Sequence, residues 1–462
     1  MIYVLLILAG ISIQMLTGDN GILTRAGEAR DLTGEKQIAE RVQLAYLAAL
    51  TEGKGETTEP NLISELNKEF GAGNYTLKKV SGTPIGVTIS GKDYYFDGTV
   101  TPSGGGGTEI DIATLQTGTT KPYLPSSSFR VSSEPTEQTV AGGLVITDGG
   151  NEFVWVEVPK DPNVYQTAGM NVNFTDDNDY LNIAKDLAVY SGTTLSNNPT
   201  SLAEHLPPAD KVGKDYTNEY KDVLKSIYQN GGFWVGRYET GIQGTKNATT
   251  SARDFGTDYS TEHPTEGNVA VIKENVQPYR WVRWGQAQTL AQGFLPVTNN
   301  SNHANLLMGV QWDLVLKFIG KDKSVDSNSS DWGNYRDSVF SLKPGSHYAK
   351  YSSSTLSTIW KAYNEDEAGF VESSVKKSQS TNGNGILYTT GANIVQNSKK
   401  NICDIAGNVW EWTIERASNS AYPCSGRGGN YDGTGSVRPA SGRYSGNTSF
   451  SSSSIGFRVS LY

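Results

Sequence analysis

The chain has 462 residues, more than one ordinary hydrophobic core accommodates, so we expect two or three domains. Its 39 lysines and arginines against 48 acidic residues give a formal net charge of −9. A nucleic-acid-binding domain normally carries a basic patch, so we expect no nucleic-acid partner. The second half is dominated by Gly, Ser, Thr, Asn and Tyr, a composition typical of short strands joined by exposed loops.

The N-terminal segment combines an apolar run with an amphipathic stretch. Residues 2–13 are almost all apolar, and no charged residue precedes Asp19. This run is shorter than the roughly 20 residues of a membrane-spanning helix, and it lacks the basic region and cleavage pattern of a signal peptide. We therefore expect a truncated start. In residues 26–50, apolar side chains recur at helical spacing among charged ones. The prediction is one long helix, apolar first and amphipathic later.

A short helix near residues 61–70 and a hairpin in residues 86–97 are predicted next. Together with the N-terminal helix, residues 1–100 resemble type IV pilins and pseudopilins. The resemblance implies an extracellular protein, anchored by the apolar helix at the cell surface or in a pilus, with other pilins as partners through that helix. The basic leader and the acidic position of prepilins are missing from this sequence. A plain membrane-anchoring helix without a pilus role therefore stays as the alternative.

A glycine-rich segment marks the predicted domain boundary. Residues 101–120 contain four consecutive glycines, Gly104 to Gly107, and such a composition behaves as a flexible coil. We predict an N-terminal region at residues 1–100, a linker at 101–120 and a large domain at 121–462. Near the start of the large domain, residues 143–147 and 152–158 have the apolar pattern of buried strands.

Seven separated stretches of the large domain carry the strongest signal. They are residues 232–240, 278–287, 306–313, 331–334, 401–413, 427–429 and 456–458. In order and spacing they resemble the formylglycine-generating-enzyme/sulfatase-modifying-factor family, over roughly residues 145–462. The resemblance implies a C-type-lectin-type fold. The predicted fold class is therefore α+β, with a long N-terminal pilin-like helix and a small α+β part, followed by a loop-rich C-type-lectin-like domain.

The stretch Gly-Asn-Val-Trp-Glu-Trp, residues 407–412, is the most specific of these motifs. In an extended segment, Trp410 and Trp412 point to one side, so two indoles can enter a core together. Asn408 and Glu411 offer oxygen atoms of the kind that Ca²⁺ binds, and the family resemblance allows such a site. Because Ca²⁺ takes six to eight oxygen ligands, these two residues are candidate calcium ligands only. Hydrogen-bonded side chains without a metal are the alternative.

The residues after the Arg-Gly-Gly motif argue against catalysis. In the enzymes that this chain resembles, the motif leads to two cysteines that bind copper and oxidise a substrate cysteine. Here Gly433 occupies the place of the first cysteine, and no cysteine follows. Without thiolates this redox chemistry is lost, so we expect no enzyme activity, no catalytic residue and no required cofactor. The four histidines are isolated in polar segments, and we expect them at the surface.

The two cysteines of the sequence, Cys403 and Cys424, precede that motif. A disulfide between them would close a loop of about 20 residues and contribute roughly 3 kcal/mol to stability. Two unpaired thiols in the core are the alternative, since free cysteines bury well.

The segment between Arg427 and Gly456 resembles a binding surface in composition. Tyrosine supplies rigid contact area, while Ser, Gly and Asn supply adaptable hydrogen bonds, as in antibody loops. A similar stretch before a Gly-Phe-Arg close occurs in the variable proteins of diversity-generating retroelements. An ordinary polar loop in a fixed binder is the alternative. The predicted ligand-binding residues are Asn430, Tyr431, Asp432, Ser441, Arg443, Tyr444, Asn447, Ser449 and Phe450.

These patterns predict a non-catalytic protein that binds a protein or glycan ligand at the cell surface or at a pilus tip, for adhesion or display. A structural minor pilin or pseudopilin whose distal domain binds nothing is the main alternative. An oxidase of the formylglycine-generating type is a further alternative, and the missing cysteines argue against it.

Overall fold

A computed structural model describes most of the chain after residue 33. The described residues are 34–52, 58–80, 83–89, 92–96, 110–192, 199–244, 268–295, 303–320, 325–338, 342, 346–352, 355–356, 361–362, 385–392 and 398–462. The apolar run and the first part of the predicted N-terminal helix lie outside them. Two compact units are present. One comprises Met1–Glu109 with Ser133–Pro135, and the other Ile110–Ser132 with Thr136–Tyr462.

The first unit pairs two helices with a small sheet. Helix α1 (Gly34–Glu52) covers the amphipathic part of the predicted helix. Helix α2 (Glu59–Phe70) begins where the Thr58 side chain accepts a hydrogen bond from the backbone N–H of residue 61, a normal N-cap. Strands β1, β2 and β3 follow in an antiparallel sheet of the same order. Their bounds are Thr76–Val80, Thr83–Ile89 and Lys92–Tyr95.

The pairing of Ile89 with Lys92 confirms the predicted hairpin and leaves two residues for its turn. The core of this unit is built from small and branched side chains of α1 and α2, closed by residues of β2 and β3. Its buried hydrophobic members are Val42, Ala45, Ala49, Leu62, Leu66, Val87, Ile89 and Tyr94. This core is small, as expected of a unit of its size.

The second unit begins inside the predicted linker. Residues 110–120 include a 3-10 helix, Ile112–Leu115, and end at the buried Thr120. The Thr120 hydroxyl accepts a hydrogen bond from Trp155 Nε1 at 2.9 Å and donates one to the carbonyl of Gly231 at 3.1 Å. This end of the glycine-rich segment is therefore fixed to the second unit. Residues 101–109, with the four glycines, lie outside the described residues.

The largest sheet of the second unit has six strands in the order β11-β20-β7-β6-β5-β4. Strand β6 contains the predicted apolar run, and its central residues are buried. Trp155 of β6 pairs with Trp234 of β7, and their ring centroids lie 5.0 Å apart. The strands are β4 (Arg130–Val131), β5 (Val145–Asp148), β6 (Asn151–Glu157), β7 (Gly232–Gly236), β11 (Ala304–Leu306) and β20 (Val459–Leu461).

Five helices accompany this sheet in the described part of the second unit. They are α3 (Asp177–Ser191), α4 (Ala209–Val212), α5 (Thr217–Asn230), α6 (Trp284–Gln292) and α7 (Gly309–Ile319). Helices α3, α4 and α5 each end at a glycine in the left-handed conformation, the usual C-terminal stop. The buried residues of α5 follow helical spacing, so one of its faces enters the core. A short 3-10 helix, Leu202–His205, precedes α4.

A second sheet has four strands in the order β18-β17-β16-β19. Its strands are β16 (Trp410–Arg416), β17 (Cys424–Arg427), β18 (Arg443–Gly446) and β19 (Ile455–Phe457). Strand β16 pairs parallel with β19 and antiparallel with β17. Smaller sheets contain β8 (Gly241–Gly244), β9 (Asn268–Val271), β10 (Gln277–Pro278), β12 (His347–Ser352), β13 (Thr355–Leu356), β14 (Lys361–Ala362) and β15 (Ile386–Tyr388).

The turn before β16 requires a glycine. Gly407 has φ of 75°, and a Cβ atom there would lie 2.2 Å from the carbonyl oxygen of Asn334. Only glycine tolerates both the dihedral angle and the contact. Both units are mixtures of helices and strands, so the predicted α+β class is confirmed. No helix among the described residues is long and apolar enough to cross a membrane.

Candidate functional site

The second sheet positions much of the predicted binding segment. Residues Gly426 and Tyr444 lie opposite each other on β17 and β18, and Trp412 lies opposite Gly426 on β16. The rings of Trp412 and Tyr444 have centroids 6.4 Å apart, and a Cβ atom at Gly446 would lie 2.6 Å from the Trp412 ring and 3.1 Å from the Tyr444 ring. The sequence prediction that Trp410 and Trp412 enter the core together is confirmed, since both are buried.

An aromatic patch lies on these tryptophans. We define it as Tyr444 and Phe450, which are both half-buried and whose ring centroids lie 5.5 Å apart. Tyr444 also packs against Trp410, and Phe450 meets Trp412 edge-on at 6.3 Å. The buried indoles thus hold two partly exposed rings in place. A rigid aromatic patch of this kind is the usual anchor of a protein interface.

The polar residues beside the patch are Asn447, which is half-buried, and Ser449, which is exposed. The backbone N–H and hydroxyl of Ser449 donate to Asn447 Oδ1, at 3.1 and 2.8 Å. This Asx-type turn fixes the loop between β18 and Phe450. The structure therefore brings Tyr444, Asn447, Ser449 and Phe450 of the predicted site together.

Three other predicted contact residues face inward or are held by neighbours. Tyr431 is completely buried among apolar side chains and offers no surface to a ligand in this structure. Asn430 is also buried, and its Oδ1 accepts a hydrogen bond from Arg438 at 2.6 Å. Asp432 forms an ion pair with the same Arg438 at 2.9 Å. Their composition suggested contact residues, but their surroundings make them supports of the loop.

Ser441 and Arg443 line a separate feature, an open cavity of about 940 Å³. Arg443 belongs to a carboxylate–arginine cluster that consists of Asp313, Glu415, Arg427 and Arg443. Arg427 is fully buried and contacts both carboxylates. Arg443 is 40% exposed; its Nε donates to Glu415 at 2.7 Å and its Nη2 to Asp313 at 3.3 Å.

The cluster is electrically balanced. Burial alone would raise the pKa of Glu415, but Arg427 and Arg443 hold it below its ordinary value. The same carboxylates keep the pKa of Arg427 above its ordinary value despite burial. Each of the four oxygens of Asp313 and Glu415 accepts a hydrogen bond from Arg427 or Arg443.

His205 is half-buried and lies in the wall of the same cavity. Its Nε2 is buried and has no hydrogen-bond partner among the described residues. Burial lowers its pKa, although Glu204 and Glu415 act in the opposite direction. The ring packs 5.6 Å from that of Tyr220. Nothing in the local sequence around His205 signals this position, because the other walls come from distant parts of the chain.

The two candidate calcium ligands are engaged by protein groups. Both Glu411 oxygens accept hydrogen bonds from the buried Arg458, at 2.7 to 3.2 Å. Asn408 Nδ2 contacts a Glu239 oxygen, and Asn408 Oδ1 accepts from Asn334 at 2.6 Å. A cation at Glu411 would have to replace Arg458. Within the described ranges, no group of three or more His, Cys, Asp or Glu residues is arranged to hold a metal ion.

Cys403, Cys424 and Gly433 are all buried. Cys403 and Cys424 are free and buried, so the structure selects the unpaired alternative over the disulfide. Burial raises the pKa of each thiol to about 12. Gly433 is buried, and a Cβ atom there would lie 2.5 Å from a side-chain carbon of Arg438. A larger residue at this position would push Arg438 aside.

Among known proteins, only a weak structural similarity to this chain was found. No family model and no curated protein matches the chain. The solved structure of Treponema denticola variable protein 1 matches with a TM-score of 0.26 and 13% identity, over 50% of this chain and 84% of that protein. Neither the formylglycine-generating-enzyme-like nor the pilin-like resemblance gains support from a family match.

Proposed function

We propose that this chain is a non-catalytic ligand-binding protein for adhesion or display, and that its ligand is a protein or glycan at the cell surface. The observation that carries the proposal is the aromatic patch. Two half-exposed rings, Tyr444 and Phe450, rest on buried tryptophans and are bordered by the ordered polar loop at Asn447 and Ser449. Buried support lets an aromatic anchor bind with little loss of side-chain entropy.

The proposal includes the finer assignments suggested by the sequence. The second unit would have a C-type-lectin-like fold of the formylglycine-generating-enzyme type, and the segment at residues 430–450 would be one that a retroelement diversifies. The N-terminal segment would anchor the protein. Calcium is left out of the proposed binding mode, because Arg458 already satisfies the Glu411 carboxylate.

The binding test uses arrays of glycans and of purified surface proteins. Once a ligand is found, Tyr444→Ala and Phe450→Ala should each weaken binding at least about tenfold, which corresponds to roughly 1.4 kcal/mol. Tyr180→Ala is the matched control, because Tyr180 is a half-buried tyrosine on α3, outside the patch. Equal binding by both patch variants, with folding intact by circular dichroism, would place the ligand elsewhere.

The non-catalytic part has its own test. The intact protein is incubated with copper and a cysteine-containing peptide, and peptide oxidation is followed by mass spectrometry. Gly433 offers no thiolate, so we expect oxidation no faster than in a control without protein. Turnover above that control would refute the absence of oxidase activity.

A further inference from the structure

The cavity of about 940 Å³ is a second place where the second unit can receive a ligand. Small residues of α3, chiefly Ala184 and Ala188, form one wall, and Val310 and Leu316 of α7 form another. Because the α3 side chains are short, the helix leaves room that larger residues would fill. The volume is within the range of small-molecule sites, about 300 to 1,000 Å³.

The carboxylate–arginine cluster forms the polar end of this cavity. The hydrogen-bonding groups that the cluster leaves unused are donors. All four oxygens of Asp313 and Glu415 already accept from arginine. Arg443 has five N–H groups and uses its Nε and one Nη2 hydrogen. The described residues offer no acceptor to its Nη1. The outer edge of this guanidinium, Nη1 with the second Nη2 hydrogen, therefore stays available for the two oxygens of one carboxylate.

The remaining wall of the cavity contains polar as well as apolar residues. His205, Ser418 and Ser441 bring imidazole and hydroxyl groups to this wall, and the charged side chains of Glu204, Asp326 and Arg416 also line the cavity. A neutral imidazole and several hydroxyls can donate and accept hydrogen bonds, which suits a polyhydroxylated molecule. A plain fatty acid would leave these groups unsatisfied, at a cost for each one that it desolvates.

We propose that this cavity binds a hydroxylated organic acid of sugar size, such as an acidic monosaccharide, with its carboxylate on the outer edge of Arg443. The inference rests on the proposed ligand-binding function, because Ser441 and Arg443 belong to the segment assigned to it. The aromatic patch and the cavity are nevertheless lined by different side chains. Each can therefore be tested without the other.

The test uses D-glucuronate as the probe, with the intact protein, by isothermal titration calorimetry and ligand-observed NMR. We expect saturable binding that is at least tenfold tighter than that of D-glucuronamide, which has the same shape without the charge. Hexanoate and inorganic phosphate should each compete at least tenfold less well. Equal binding of the amide, or stronger competition by hexanoate or by phosphate, would overturn the assignment to a hydroxylated carboxylate.

Two variants locate the site by different means. Arg443→Gln removes the outer edge and leaves Arg427 on both carboxylates, and Ala188→Phe fills the cavity from α3. Both should weaken glucuronate binding at least tenfold. Arg130→Gln, at an exposed arginine outside the cavity, should bind like the parent. Thermal unfolding shows which variants are folded, and unchanged binding in either folded variant refutes the site.

The outcomes separate this inference from the proposed function. A protein that binds an array ligand through Tyr444 but shows no saturable glucuronate binding refutes the cavity inference alone. Glucuronate binding that depends on Arg443, without any effect of the patch variants on an array ligand, refutes the patch alone.

Discussion

Replacing Tyr431 should damage the fold rather than ligand contact. The ring is fully buried with Ala349, Leu387 and Val409, and its hydroxyl lies 3.2 Å from the hydroxyl of Ser453. Truncating a buried aromatic residue to alanine costs about 3 to 5 kcal/mol, from lost transfer free energy and the cavity left behind. Tyr431→Ala should therefore be among the more destabilising single changes in the second unit.

The expected thermal shift follows from the size of the unit. The entropy of unfolding is about 2.1 cal/mol/K per residue. A cooperative unit of about 350 residues therefore loses roughly 1.4 °C of Tm for each kcal/mol of destabilisation. Tyr431→Ala should thus lower Tm by about 4 to 7 °C in differential scanning calorimetry. Tyr431→Phe, which keeps the ring, should cost only about 0.5 to 1.5 kcal/mol. Tyr444→Ala removes a half-buried ring, so its cost in stability should lie between those of Tyr431→Phe and Tyr431→Ala. An unchanged Tm for Tyr431→Ala would refute the burial of this residue and restore it as a contact candidate.

Three further expectations concern charge, metal and thiols. Burial raises the pKa of Glu239 well above the usual 4.5, so the folded state binds a proton that the unfolded state releases, and stability falls as pH rises above about 4.5. In urea unfolding, Glu239→Gln should therefore be about as stable as the parent at pH 4 and more stable at pH 7. The difference in unfolding free energy between the two proteins should grow by at most about 1.4 kcal/mol per pH unit. The same pH dependence in both proteins would contradict a neutral Glu239. Adding Ca²⁺ or EDTA should leave Tm unchanged, since Arg458 occupies the Glu411 carboxylate; a rise of several degrees with Ca²⁺ would show a site. Iodoacetamide should label Cys403 and Cys424 only after unfolding, without prior reduction, and mass spectrometry that finds a disulfide would overturn their free state.

Sequence pattern was a good guide wherever a local rule decides the structure. Alternation in residues 407–412 predicted that both tryptophans are buried, and the alternating stretch at residues 86–97, with its turn placed at residues 90–92, predicted the hairpin. In each case the signal and its cause lie within a few residues. The boundary of the second unit was less well placed, because the hydrogen bonds of Thr120 reach Trp155 and Gly231.

Composition alone did not separate contact residues from supports. Tyr431 and Tyr444 are the same residue type in the same polar segment, yet one is buried and the other half-exposed. The difference comes from Leu387 and Val409, which surround Tyr431, and from Gly446, whose missing side chain leaves room for Tyr444 to lie on Trp412. Such partners are remote in sequence, so no local pattern reports them. The cavity is even less visible to a local sequence pattern, since its walls come from α3, α7, β16 and β18.

The net charge of −9 raises the question of how this chain could hold an anion in that cavity. At physiological salt, charges farther away than about 8 Å are largely screened, so the distant carboxylates contribute little. Asp313 and Glu415 are close, but each is already paired with two arginines, so the formal charges of this cluster cancel. Glu204 and Asp326 also line the cavity, together with Arg416. What an incoming carboxylate meets is therefore the unused donor edge of Arg443 rather than a net field. Recognition by directed hydrogen bonds favours a ligand of the right shape over any small anion, which is why glucuronate and phosphate should behave differently.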